Sequence, residues 1–117
     1  MEKILVTGSS GFIGMHLCKS LLDEGHEVMG IDNMNNYYDP ALKETRLEQL
    51  SSYLNFNFIK TDIADQSSLK SVFKEFKPQK VVNLAAQAGV RYSLENPQAY
   101  IQANVVGFMN ILECCRH

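Results

Sequence analysis

Near its start the chain carries Gly8-Ser9-Ser10-Gly11-Phe12-Ile13-Gly14, three glycines spaced as G-x-x-G-x-x-G. Such a run does chemistry through its backbone, and only where it leaves a strand and opens a helix. Both conditions are met. Lys3 to Thr7 (KILVT) is a short apolar run of the kind a buried parallel strand shows. Phe12 to Glu24 repeats Ile13, Leu17 and Leu21 at helical spacing, widened by Met15, Cys18 and Leu22, with Gly25 at the position past the helix end. Gly8 then allows a sharp turn, Gly11 lets an anion approach the backbone, and Gly14 lets the helix pack on the sheet. Free N–H groups and the helix dipole favour a pyrophosphate there. The expectation is a dinucleotide site; the alternative is a plain tight turn.

Asp32 closes the second strand pattern. A carboxylate there accepts hydrogen bonds from both adenosine ribose hydroxyls and repels a 2′-phosphate, which favours NAD over NADP. After the third strand, Asp62-Ile63 offers a carboxylate and an N–H to an adenine edge. Asp62 or Asp65 equally suits a helix cap, and the sequence leaves both readings open. Cys18, Cys114 and Cys115 form no C-x-x-C pair and read as packed, reduced thiols of a cytoplasmic protein. No metal-ligand spacing is present.

The elements that must position these residues alternate between strand and helix. Glu27 to Ile31 reads as strand two. A helix starting at Asp39-Pro40 runs to about Leu50, and Asn55 to Lys60 reads as strand three. Ser67 to Phe76 forms a helix on Leu69, Val72, Phe73 and Phe76, followed by Lys80 to Leu84 as strand four. Asn96-Pro97 caps a last helix to about Cys114, with Tyr100, Ile101, Val105, Phe108, Ile111 and Leu112 as its apolar positions. Right-handed crossovers then give an α/β fold, a Rossmann-type parallel sheet flanked by helices, in the strand order 3-2-1-4.

The 117 residues suffice for one domain, expected as residues 1–117 with no second one. A net charge of −2 gives no reason to expect nucleic acid or an anionic membrane as partner. No run approaches the ~18 apolar residues of a membrane span.

The run ILVTGSSGFIG resembles the glycine motif of extended short-chain dehydrogenases/reductases, the family of nucleotide-sugar epimerases and dehydratases. Gly30 to Leu50 and Asn83 to His117 are similar to the UDP-glucuronate 4-epimerases within it, with UDP-glucose 4-epimerases and dTDP-glucose 4,6-dehydratases as the neighbouring alternatives. The resemblance implies NAD as cofactor and a nucleotide sugar as partner in the full-length parent. Gly8, Gly11, Phe12 and Ile13 would surround the pyrophosphate, Asp32 and Asn33 the ribose, and Asp62 and Ile63 adenine. Leu84, Ala85, Ala86 and Gln87 would line the path to the nicotinamide ribose, and Asn104 would support it. Arg91 would meet a substrate anion; a surface ion pair is its plainer use.

Such enzymes work through a Ser or Thr and a Tyr-x-x-x-Lys pair. Tyr37, Tyr38, Tyr53, Tyr92 and Tyr100 are followed four places on by Ala41, Leu42, Asn57, Asn96 and Asn104, never Lys. No catalytic residue is therefore assigned. The chain is expected to be an N-terminal piece, truncated after four strands and inactive alone. Its exposed strand-four edge, Val81-Val82, is expected to pair with a second copy. A non-catalytic NAD-binding module is the alternative from another class.

Overall fold

The computed structural model describes residues 1–34, 40–85 and 97–116. Asp39, Asn96, Ala86, Gln87 and Arg91 lie outside them. Four strands, β1 (Lys3–Thr7), β2 (Glu27–Asp32), β3 (Phe56–Lys60) and β4 (Lys80–Asn83), form one sheet in the order β3-β2-β1-β4. All three pairings are parallel, with Leu5 opposite Met29 and Val81, and Ile31 opposite Ile59. The crossovers are α1 (Phe12–Asp23), α2 (Pro40–Ser51) and α3 (Gln66–Phe76). After β4 come α4 (Pro97–Ile101), a π-helical stretch (Gln102–Gly107) and α5 (Phe108–Arg116). The expected fold and strand order are borne out. Among the described residues no helix is long and apolar enough to cross a membrane.

Alternation along β1 builds the core on both faces. Ile4 and Val6 join Met15, Cys18 and Leu22 of α1, Leu50 of α2, and Val28 and Phe56. Leu5 points the other way, to Ile31, Ile63, Ile111 of α5, and Leu69, Val72 and Phe76 of α3. Each fully buried aliphatic contributes about 1.5–3 kcal/mol.

Three details depart from expectation. The buried stripe of α1 is Gly14 with Met15, Cys18 and Leu22, the three residues expected only to widen it. Leu17 and Leu21 only flank the core, and Ile13 is 69% exposed. On the last helical segment Ile111 is buried, but Ile101, Val105, Phe108 and Leu112 are about half exposed. The thiols are not uniformly packed: Cys18 is buried, Cys114 partly so and Cys115 exposed. Burial pushes the Cys18 thiol up to about 12, so it stays protonated and inert.

Candidate functional site

The sheet order reverses at β1, whose neighbours β2 and β4 belong to successive halves of the winding. The crevice outside the carboxyl ends of β1 and β4 is where such sheets take ligands. A cavity of about 480 Å³ opens there.

Its floor is the glycine loop. Gly8 turns the chain with φ 73°, in the left-handed region that glycine adopts without a Cβ penalty. Its N–H donates to Ile31 O at 2.7 Å. A Cβ on Gly8 would meet the Leu84 carbonyl carbon at 2.8 Å, and one on Gly14 would stand 2.0 Å from Gly8 O. Gly14 thus packs α1 against the loop's own backbone, where sequence reasoning had it packing on the sheet. Gly11 differs from both. Its φ is −74°, and a Cβ there would have only Gly8 O nearby, at 3.3 Å. The protein fills the space above Gly8 and Gly14 but leaves that above Gly11 to the cavity.

Gly11 is also the residue that starts α1, and no side chain caps that end. The first N–H groups of an uncapped helix have no intrahelical acceptor, so they favour an anion. Phe12 and Ile13, 64% and 69% exposed, flank this start and line the cavity.

The β2 wall is organised by Asp32, only 4% exposed. Its Oδ1 accepts from Met34 N at 2.8 Å and Lys43 Nζ at 2.9 Å, and its Oδ2 from Ser10 N at 3.2 Å. The first of these bonds holds Met34 at φ 56°, a backbone conformation side-chain-bearing residues rarely adopt. Arg46 donates to Ser10 O at 3.3 Å and lies 5.7 Å over the Phe12 ring. Lys43 and Arg46 are one turn apart on α2, and both line the cavity with Asp32 and Asn33.

On the β3 wall the helix cap falls to Asp65 and not to Asp62. Asp65 caps α3, accepting from Ser68 N at 3.2 Å. The Ser68 hydroxyl and N–H hold its carboxyl below the usual range. Asp62 accepts from Ala64 N at 2.9 Å and faces the cavity beside Thr61 and Ile63. Asn110 of α5 is buried and donates to Ile63 O at 2.9 Å, fixing that segment from the other side.

Strand four was expected to reach Leu84 but ends at Asn83. Thr7 accounts for this: its Oγ1 donates to Asn83 Oδ1 and accepts from Leu84 N at 3.0 Å and Ala85 N at 3.1 Å. Leu84 and Ala85 are thereby drawn under Gly8 and into the cavity lining. Of the described expected residues, only Asn104 does not line this cavity; it sits half-buried in the π-helical stretch. Sequence reasoning missed Ile31, Leu42, Lys43, Arg46 and Thr61 in the lining, and Thr7 and Asn110 behind it. The available signal was the Lys43/Arg46 pair at i, i+3 in the first turns of α2.

Sheet order, crevice and glycine loop define a Rossmann-type α/β domain whose first helix starts uncapped at the crevice. The chain belongs to the GDP-mannose 4,6 dehydratase family, whose sequence pattern matches residues 5–117. It is 56% identical to Protein CapI of Staphylococcus aureus over 98% of this chain and 34% of that protein. It is 46% identical to a probable UDP-glucuronate 4-epimerase of Rhizobium meliloti, over 97% of this chain and 33% of the relative. The solved UDP-glucuronic acid 4-epimerase of Bacillus cereus, in complex with UDP-glucuronic acid and NAD, superposes with a TM-score of 0.88 at 37% identity, over 98% of this chain and 36% of that one. The resemblance to nucleotide-sugar epimerases is borne out. The chain spans about a third of the length of these relatives.

Proposed function

We propose that this chain is the NAD-binding segment of a nucleotide-sugar 4-epimerase that interconverts UDP-glucuronate and UDP-galacturonate. The observation that carries the reading is Gly11: a bare backbone at an uncapped helix start, opening into a cavity where the fold itself does not require a glycine. A pyrophosphate fits that cradle. In this reading Gly8, Gly11, Phe12, Ile13 and Gly14 hold the two phosphates. Asp32 and Asn33 hold the adenosine ribose, Asp62 and Ile63 adenine, and Leu84 to Gln87 the nicotinamide end, with Asn104 supporting it. Arg91 takes a substrate anion. Bound there, NAD supplies a reversible hydride acceptor for the sugar C4. The chain contributes binding and orientation; with no Tyr-x-x-x-Lys among its residues, it is inactive by itself.

Calorimetric titration of the chain with NAD tests the cofactor reading. The wild type binds, and Gly11→Ala remains folded by circular dichroism yet loses at least about tenfold in affinity, since its methyl group enters the phosphate cradle. A Gly11→Ala chain that binds NAD as well as wild type overturns it. For the substrate, proton NMR of UDP-glucuronate with a longer protein carrying this segment shows UDP-galacturonate appearing; UDP-glucose turnover alone would favour the neighbouring epimerase class.

A further inference from the structure

Asp62 and Ile63 line the cavity side by side, one with a carboxylate and one with a backbone N–H. The turn that carries them is held from several sides. Asp62 O accepts from Asp65 N at 2.9 Å and closes the turn, while Thr61 N donates to Asp32 O at 3.0 Å and ties its start to β2. The Ile63–Ala64 peptide unit is the middle of that turn, and a side chain holds each of its two ends. Its N–H donates to Asp62 Oδ1 at 2.9 Å, and its carbonyl accepts from Asn110 Nδ2 at 2.9 Å. Among the described residues none donates to Asp62 Oδ2 and none accepts from the Ile63 N–H.

Asn110 therefore acts on Asp62 through one rigid plane. It is 7% exposed, stands outside the cavity lining, and reaches the turn from α5, 47 residues further along the chain. Ile63 is itself buried, so without this donor its carbonyl would lose its partner away from water, and the plane would turn to find another. A turned plane carries the Ala64 N–H away from Asp62 and frees the carboxylate to rotate.

We propose that Asn110 is a positioning residue that sets the base preference of the site. It holds the Asp62 carboxylate and the Ile63 N–H as an acceptor–donor pair for the 6-amino group and N1 of adenine. Hypoxanthine presents the reverse pattern, an acceptor at position 6 and a donor at N1, so a rigid pair rejects it. This rests on the dinucleotide reading above and adds to it a residue behind the cavity on which discrimination between bases depends.

The test is titration of the chain with NAD and with nicotinamide hypoxanthine dinucleotide, for wild type and Asn110→Leu. Leucine keeps the branched shape of asparagine and removes the donor. Wild type binds NAD at least about tenfold tighter than the analogue, and Asn110→Leu brings the two within about threefold by weakening NAD. A variant that keeps the wild-type ratio, even with both affinities lowered, overturns the proposal while leaving the dinucleotide site standing. So does a wild type that binds the two equally. A folded wild-type chain that binds neither dinucleotide overturns both readings. Where Asn110→Leu does not fold, hydrogen exchange at the Ala64 N–H of wild type decides, compared at equal saturation. Exchange slowed at least about threefold more by NAD than by the analogue supports the proposal, and equal slowing overturns it.

Discussion

A methyl group on Gly14 would lie 2.0 Å from the Gly8 carbonyl oxygen, which is backbone and has nowhere to go. The same group on Gly11 would meet that oxygen at 3.3 Å, a contact that a few tenths of an ångström relieve. The two glycines therefore separate structure from function. Gly14→Ala destabilises the chain by about 3 kcal/mol through forced overpacking, and Gly11→Ala by under about 1 kcal/mol. Urea unfolding curves check this: the midpoint falls sharply for the first and little for the second. At this scale the glycine loop was legible because its chemistry depends on missing side chains, and glycine marks those by itself. Lys43 was not. A lysine on a helix ordinarily reads as solvated surface, and only the docking of α2 brings it against Asp32. Ile13 shows the converse: its apolar type suggested core, but it stands exposed at the cavity mouth.

Elements were legible where a local device fixes them. The α3 start follows from Asp65, whose side chain bonds the Ser68 N–H and hydroxyl. The end of β4 was misplaced because a non-local partner, Thr7, captures the Leu84 and Ala85 N–H groups. The π-helical stretch Gln102–Gly107 leaves the apolar pattern of the last segment out of step, so that Ile111 is buried while Ile101, Val105, Phe108 and Leu112 stand about half exposed. The Asp65 cap has a pH signature. Ser68 holds the Asp65 carboxyl lower in the folded state than in the unfolded chain. Its contribution is thus fully present above the unfolded carboxyl's titration and is lost as pH falls through the folded value. Asp65→Ala lowers the melting temperature at neutral pH, and its gap to wild type closes below about pH 4. Thermal melts of the two proteins across pH 3 to 7 check this; a gap that widens on acidification would remove the cap from the account.

On the scale of the whole molecule, both sheet edges carry exposed charge, Lys60 on β3 and Lys80 on β4, but the β4 edge is the more apolar. Along β3, Asn57 and Lys60 are exposed polar positions. Along β4 the half-buried Val81 and Val82 pair with β1 on one side, and among the described residues no strand pairs on the other. Beside that edge α5 contributes Phe108, Met109 and Leu112, each about half exposed, and Ile101 and Val105 extend the row. An apolar helix row next to an open strand edge is the kind of surface that recruits a partner. A second copy of the chain carries the same apolar row and the same edge, so a two-fold axis matches like with like. Self-association of the chain is therefore the expected outcome. Light scattering behind size exclusion shows its mass rising toward twice that of one chain from low micromolar to several hundred micromolar. The double change Phe108→Glu and Leu112→Glu, at positions already half in water, leaves the core of Leu5, Ile31 and Leu69 intact. It returns the chain to monomer because like charges would face each other across the axis. A wild-type chain that stays monomeric over the whole range would mean that the row and the edge are covered from within.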